Sequence, residues 1–399
     1  MVTVASFSPG EEMTGPGALP ISEIREALRR AGPEKIEPLA AQVDRTQEFS
    51  PELWRLLCEL GVPSLPFSED VGGIGGSYET YVAGIEEVAF FGAVAALYPG
   101  PTVQVASAIM RHGSELQKSR WGLELVQARA MGAWSFTEPQ TGSDPRQITT
   151  RAERTHDGWL LTGTKMFTSF APYADVALVF ARTGPDSLGA FIVDTKNPGW
   201  QPGGPIKMLA FGGQGTCPVT LTDLRLPPES LLGAADSGFD IMVGTEAEAK
   251  VRAGAICVGI GRRALEESVR YATERTHRGE PIGLKFPTVR ALVGEMSAHV
   301  DAAQAMVKTA ARAIDQGSMR VKQLAASTRI VCARMARETT SNAMQVCGAY
   351  GFTQEMILER LYREGKFYEV GQGVIELQKL IVGKQRLMEY KELGRLGSE

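Results

Sequence analysis

Two short stretches of this chain carry residue types that could do chemistry. The first is Trp134–Asp144, "WSFTEPQTGSD", the densest polar cluster in the sequence. Its hydroxyls, Thr137 and Ser143, surround a turn set by Pro139 and Gly142, and exposed main-chain amides on such a turn can bind a phosphate or the polar edge of a heteroaromatic ring. The same pattern also makes a well-capped β-turn with no ligand. The second is Tyr368–Gln378, "YEVGQGVIELQ", in which one uncharged amide, Gln372, stands between two glycines and two helical segments. A connection of this kind can be a plain hinge. It can also be an active-site loop, and there a carboxylate would be the expected proton acceptor. A carboxamide is no base at any useful pH, and a positioned base contributes a rate factor of about 10²–10⁴.

Other chemistries find little support. Four histidines (112, 156, 277, 299) show no HxxxH or HxH spacing, so no metal site is expected. Five cysteines (58, 217, 257, 332, 347) are scattered, without a CxxC pair. They read as reduced, buried thiols of a cytoplasmic protein. A net charge of −4 with no basic run leaves no footprint for nucleic acid or an acidic membrane surface. The first 20 residues lack the basic start and apolar block of a signal peptide. The longest nearly uncharged stretches, such as Ala253–Gly261, are too short to span a bilayer.

The elements that must position the two stretches follow from periodicity. In "SPELWRLLCELGV", Ser50 caps a helix, Pro51 opens it and Gly61 stops it, with Leu53, Leu56, Leu57 and Leu60 on one face. Ser77 caps another helix that turns Tyr81, Ile85, Val88 and Ala89 inward. From about Met131 the period shortens. "TTRAERTHDGWLLTGTKMFTS" reads as a hairpin around Asp157-Gly158, and "VALVFAR" and "AFIVD" are further strands. From Gly238 helix returns, beginning with a run apolar on nearly every side, which reads as buried all round. Long helices at Pro287–Gln316 and Met319–Gly348, a shorter one near Met356–Phe367 and a last one from Ile375 complete the chain. The fold class is α+β: a helical domain (1–130), a β-sandwich or barrel domain (131–235) and a helical bundle of four-helix type (236–399). Separate blocks of helix and strand exclude a doubly wound parallel sheet, so "GIGRR" at 259–263 lies inside a helix and is not a dinucleotide turn. The apolar bundle predicts self-association.

The motifs in their order resemble the acyl-CoA dehydrogenase family over nearly the whole chain. "FTEPQTGSD" is followed by "GWLLTGTKMFTS", "LTDLRLPPESLLG", "ERTHRGEPIG", "AMQVCGAYGF" and "EVGQGVIELQKLIVG", each similar to the corresponding family segment. The resemblance implies a homotetramer or dimer that binds FAD and acts on an acyl thioester, carried by CoA or an acyl-carrier protein. An electron-transferring flavoprotein is the acceptor it implies, with oxygen as the alternative. It assigns Trp134, Thr137, Ser143, Phe167, Thr168 and Ser169 to the flavin. Arg275, Gln345 and Gly348 go to the pyrophosphate and adenosine of a partner subunit's FAD. Arg278, Val374 and Glu376 depart from the family's residues at their positions. Gln372 falls where the family commonly has its catalytic Glu, and its backbone N–H would hold the thioester oxygen. Relatives that keep the base on the first long carboxy-terminal helix place it at Ala249, with Glu246 and Glu248 close by and Glu248 the alternative base. Three functions are compatible with this pattern: α,β-dehydrogenation, a flavin-linked oxygenation or β-elimination without a base, and a non-catalytic subunit of a mixed oligomer.

Overall fold

A computed structural model describes residues 19–397, so the amino-terminal segment read for a signal peptide lies largely outside the described residues. Helices α1 (Ile21–Ala31), α2 (Glu37–Thr46), α3 (Pro51–Glu59), α4 (Tyr78–Phe91), α5 (Ala93–Leu97), α6 (Pro99–His112), α7 (Glu115–Gln117) and α8 (Leu123–Val126) come first. Their boundaries have local causes. Ser50 Oγ accepts from Leu53 N at 3.1 Å and Ser77 Oγ from Thr80 N at 3.1 Å, which satisfies amides that the first turn leaves free. The run Ala93–His112 is long and apolar enough to cross a membrane, but 83% of its apolar window is buried inside the protein, as in a core helix.

The strands form one mixed sheet: β1 (Gly132–Ser135), β2 (Arg151–Thr155), β3 (Gly158–Thr168), β4 (Val176–Arg182), β5 (Leu188–Asp194), β6 (Trp200–Pro202), β7 (Cys217–Leu226) and β8 (Leu231–Leu232). The order is β6-β7-β3-β2-β4-β5-β8, with β1 parallel to β4. The expected hairpin is β2–β3. Thr155 pairs with Gly158, so the two-residue loop is His156-Asp157 and Gly158 opens the next strand. Alternation along β4 divides the interior. Ala177, Val179 and Ala181 join Trp159, Leu161, Val219 and Leu224 in a core internal to the sheet. Val176, Leu178 and Phe180 instead join the main core that the helices build. The sheet is therefore buried on both faces at β4, and β1, lying on β4, is held against the helices.

The remaining helices are α9 (Gly238–Glu274), α10 (Ile282–Lys285), α11 (Pro287–Asp315), α12 (Val321–Cys347), α13 (Leu358–Val370) and α14 (Ile375–Leu393), and a small β9–β10 pair (Thr276–His277, Glu280–Pro281) precedes α10. From Glu248 to Gly261 every residue of α9 is buried. It packs against α4, α11 and α12, so no face is left for solvent. Gly259 records how close α4 comes: a Cβ there would stand 2.5 Å from Ala89 Cβ and 2.6 Å from Glu86 O. That close approach to α4, within a helix that runs unbroken to Glu274, accounts for a glycine in "GIGRR" without any nucleotide.

One ion pair pins the β domain's chemically rich turn. Lys165 is fully buried and donates to Glu138 Oε1 at 2.9 Å and to Phe180 O at 2.6 Å. Glu138 also accepts from the amides of Thr149 and Thr150 at 2.7 and 2.9 Å. Desolvation alone would raise the Glu138 pKa, but Lys165 and the Thr150 and Thr149 hydrogen bonds outweigh it and bring it down to about 2. Burial brings Lys165 down to about 8, against the pull of Glu138. Glu138→Ala should cost about 3–5 kcal/mol, because it strands a buried ammonium. Glu138→Leu combined with Lys165→Met should fall closer to the parent, because both charges leave together. Denaturant unfolding followed by Trp159 and Trp200 fluorescence tests this. A depressed carboxylate pKa contributes in full above the ordinary value of 4.5. The parent should therefore lose this contribution as pH falls from there toward about 2, and the double variant should not.

Candidate active site

Two groups of residues assemble at the junction of the sheet with the carboxy-terminal helices. The first is built on the end of β1 and the end of β3. Met166 N donates to Thr137 O at 2.8 Å, and the hydroxyls of Ser135 and Thr168 meet at 2.9 Å. Ser169 Oγ meets Thr216 Oγ1 at 2.9 Å. Trp134 leans on Phe180 with ring centroids 4.9 Å apart. Thus Trp134, Thr137, Phe167, Thr168 and Ser169 share one edge, and Ser143 lies exposed on the turn that follows. Phe167 has φ +55° and is 53% exposed. A left-handed conformation is costly for an aromatic residue and persists where the surroundings enforce it, most often at functional sites. Here it leaves an apolar ring facing outward next to paired hydroxyls.

The second group is the 371–374 loop between α13 and α14. Arg329 of α12 is fully buried, and its Nη2 donates to Tyr368 O and Gly371 O at 2.7 Å each and to Gly373 O at 3.4 Å. Its Cζ sits 5.8 Å from the Tyr368 ring centre. One cation thus organises the carbonyls on both sides of Gln372. Gln372 itself has φ +53°, and its N–H donates to no backbone carbonyl among the described residues. Its side-chain Oε1 is buried without a hydrogen-bond partner, as are both amide atoms of Gln378 below it.

The two carboxylates weighed as bases point to different places. Glu248 is 7% exposed, its carboxylate pairs with Arg111, and its carbonyl accepts from the Tyr78 hydroxyl. Glu246, half a turn earlier, has Oε1 3.8 Å from where a side chain at Gly373 would begin. The same carboxylate meets Lys250 Nζ at 3.0 Å. Burial lowers the Lys250 pKa against the pull of Glu246. Ala249 is buried and offers nothing titratable. Of Glu246 and Glu248, the one beside the loop is therefore not the alternative singled out from the sequence. One residue along a helix turns a side chain by roughly 100°, and periodicity could not choose between 246 and 248.

Matches to family models cover the chain in three blocks. Residues 21–129 match the amino-terminal domain of acyl-CoA dehydrogenase, 133–224 its middle domain and 236–387 its carboxy-terminal domain. The probable acyl-CoA dehydrogenase YngJ of Bacillus subtilis is 32% identical over 370 residues, covering 91% of this chain and 97% of that one. This chain belongs to the acyl-CoA dehydrogenase family. Cyclohexane-1-carbonyl-CoA dehydrogenase of Geobacter metallireducens is 30% identical over 92% of the chain and 97% of its own length. Among solved structures, butyryl-CoA dehydrogenase from Megasphaera elsdenii superposes with a TM-score of 0.89 at 28% identity, over 92% of this chain and 98% of that one.

The residues that the family resemblance assigns to flavin fit a planar, partly polar group. The edge of β1 and β3 offers exposed aromatic surface at Phe167 beside the Thr137 and Ser169 hydroxyls. Arg275, Gln345 and Gly348 form a separate, exposed group at the far ends of α9 and α12, where Tyr271 and Tyr350 approach to 6.3 Å. Tyr350 and Phe352 are 54% and 84% exposed there, an apolar, arginine-bearing surface open to another molecule. Removing the cation that organises the loop has a local readout. A hydrogen bond to a charged donor contributes about 1.5–3 kcal/mol, so Arg329→Met should speed amide exchange across Tyr368–Ile375 by at least about ten-fold. Exchange in β4 should be unchanged.

Proposed function

We propose that this chain is an FAD-dependent oxidoreductase that introduces an α,β double bond into an acyl thioester, as a homo-oligomer. The observation that carries the reading is the Gln372 main chain. It is a left-handed residue between two carbonyls gripped by one buried arginine, and it presents an N–H with no backbone acceptor among the described residues. Such a donor can take the thioester carbonyl oxygen and stabilise the charge that gathers on it when the α-proton leaves. It needs no side chain at 372, which is why Gln serves.

FAD, when bound, supplies the acceptor for the β-hydrogen and its two electrons. Trp134, Thr137, Ser143, Phe167, Thr168 and Ser169 would hold its ring side, and Arg275, Gln345 and Gly348 of a neighbouring copy its adenosine side. Exposed Leu380, Leu387 and Met388, at helical spacing on α14, support self-association. The α-proton goes to Glu246, the carboxylate beside Gly373, held in place by Lys250. Buried Arg329 and Lys250 favour enolate charge on the loop side. A CoA thioester and a carrier-protein thioester are both compatible with this geometry, and an electron-transferring flavoprotein is the acceptor the family suggests.

Anaerobic addition of acyl-CoAs to the purified holoprotein should bleach the oxidised flavin spectrum. Glu246→Gln should slow bleaching by about 10²–10⁴-fold, the contribution of a positioned base, while the thioester dissociation constant stays within a few-fold of the parent. A protein that takes up no FAD, or a flavin that no CoA or carrier-protein thioester reduces, would overturn the reading. Unchanged bleaching in the Glu246→Gln protein would remove Glu246 from it.

A further inference from the structure

Where α4, α6, α9, α12 and α13 meet, several buried polar groups take no part in the chemistry above. Arg252 of α9 is 3% exposed. Its Nη1 donates to Gly100 O of α6 at 2.9 Å, and its Nε has no partner among the described residues. The guanidinium lies so close to α6 that a Cβ at Gly100 would stand 2.8 Å from Arg252 Cζ. Tyr81 of α4 is fully buried beside it, and Arg252 favours the ionised phenol by its charge and by a side-chain contact to the hydroxyl that falls short of ordinary hydrogen-bond geometry. Tyr368 of α13 is within electrostatic reach of both Arg252 and Arg329, and its hydroxyl is likewise unpartnered. Arg329 leaves Nε and Nη1 unsatisfied. This group lies directly under the 371–374 loop, because Arg329 and Tyr368 belong to both.

Two of the three nearby carboxylates are engaged elsewhere. Glu248, one turn before Arg252, pairs with Arg111. Glu246 pairs with Lys250 at 3.0 Å. Glu364, which Tyr368 also senses, faces Arg360 at 3.9 Å. No carboxylate forms an ion pair with Arg252 or Arg329 among the described residues. Taking a cation out of water is expensive unless an anion or a full set of acceptors receives it. The orphaned atoms of Arg252, Arg329, Tyr81 and Tyr368 are guanidinium N–H and phenol O–H, all of which can donate; one orphaned acceptor, Glu364 Oε2, lies on the α13 side near Tyr368.

We propose that these groups bind the far end of the acyl chain, and that this end is a carboxylate: the substrate is the monothioester of a dicarboxylic acid, held by Arg252 with Tyr81 and Tyr368. The proposal rests on the thioester reading above, since Arg329 and Tyr368 link this group to the loop assigned to the thioester oxygen. A planar carboxylate matches a guanidinium fork, accepts from two phenols and neutralises a buried charge in one step. A hydrocarbon tail would do none of these and would leave Arg252 Nε and the Tyr368 hydroxyl unsatisfied.

The test compares succinyl-, glutaryl- and adipyl-CoA with butyryl-, valeryl- and hexanoyl-CoA on the holoprotein, by calorimetric titration and by flavin bleaching. In the parent, at least one dicarboxylic thioester should bind about 100-fold more tightly than the neutral thioester of equal length. In Arg252→Met that ratio should collapse toward one, and Tyr81→Phe should reduce it by about ten-fold. Equal or tighter binding of the neutral partner at every length would overturn the proposal. So would a stronger preference for a hydroxyacyl-CoA, or an undiminished ratio in a folded Arg252→Met protein. If that variant does not fold, the comparison on the parent alone decides. Bleaching by neutral thioesters only would overturn this proposal and leave the dehydrogenase reading standing. Absence of bleaching by all of them would overturn the dehydrogenase reading, and the calorimetric ratio would still decide the pocket's charge preference.

Discussion

A guanidinium sealed inside the protein, with no carboxylate paired to it among the described residues, sets the terms for the rest of this site. Arg329 spends its Nη2 on three main-chain carbonyls of one short loop. That arrangement draws the loop onto α12, keeps Gln372 in a left-handed conformation and leaves its amide free to donate. It also places positive charge next to a site where negative charge would develop. A neutral side chain at 329 could not serve both purposes, because no uncharged residue reaches three carbonyls from a buried helix position while adding to the local potential. The β domain uses charge differently. Glu138 and Lys165 are buried as a closed pair with every oxygen occupied, so they fix the Thr137 turn without projecting a field into the cleft.

Much of the architecture was legible because it follows from local rules. Ser50 and Ser77 announce helix starts that the structure confirms with short hydrogen bonds, and "VALVFAR" becomes β4 because only a strand could bury Val176, Leu178 and Phe180 in one core and Ala177, Val179 and Ala181 in another. The hairpin loop moved by one residue, to His156-Asp157, the usual error where turn chemistry and strand register compete. Family resemblance singled out Thr137, Thr168 and Gln372; the fold sets Thr137 against Met166, Thr168 against Ser135 and Gln372 on a braced loop.

What the sequence could not show was which buried charges face one another. Lys250 and Arg252 stand two residues apart in a helix that is buried on all sides, so hydrophobic periodicity gives neither a direction. Glu246 and Glu248 look equivalent in "TEAEAKVR", yet one meets the loop and the other meets Arg111. The available signal was the intrusion itself. An arginine inside "KVRAGAICVGIG" breaks an otherwise apolar run, and a charge in such a place is seldom free of a partner. Only the tertiary arrangement reveals that Arg252's neighbour is a carbonyl of α6 rather than an acid.

The same electrostatics explains why an amide at 372 suits this chain. A carboxylate there would put a negative charge on a loop already drawn against Arg329, and the nearby positive charge would lower its basicity. With Gln372, Arg329 stays unneutralised, and the carboxylate beside the loop is Glu246 of α9, held by Lys250. Charge is thereby separated along the site: carboxylate on the α9 side of the loop, guanidinium beneath it. A thioester held between them would meet a base at one end and donors at the other. A second negative group on the same ligand would be repelled by Glu246 and attracted by the arginines. The orientation of the bound acyl chain therefore follows from the placement of a few buried charges, with no specific recognition of its methylenes required.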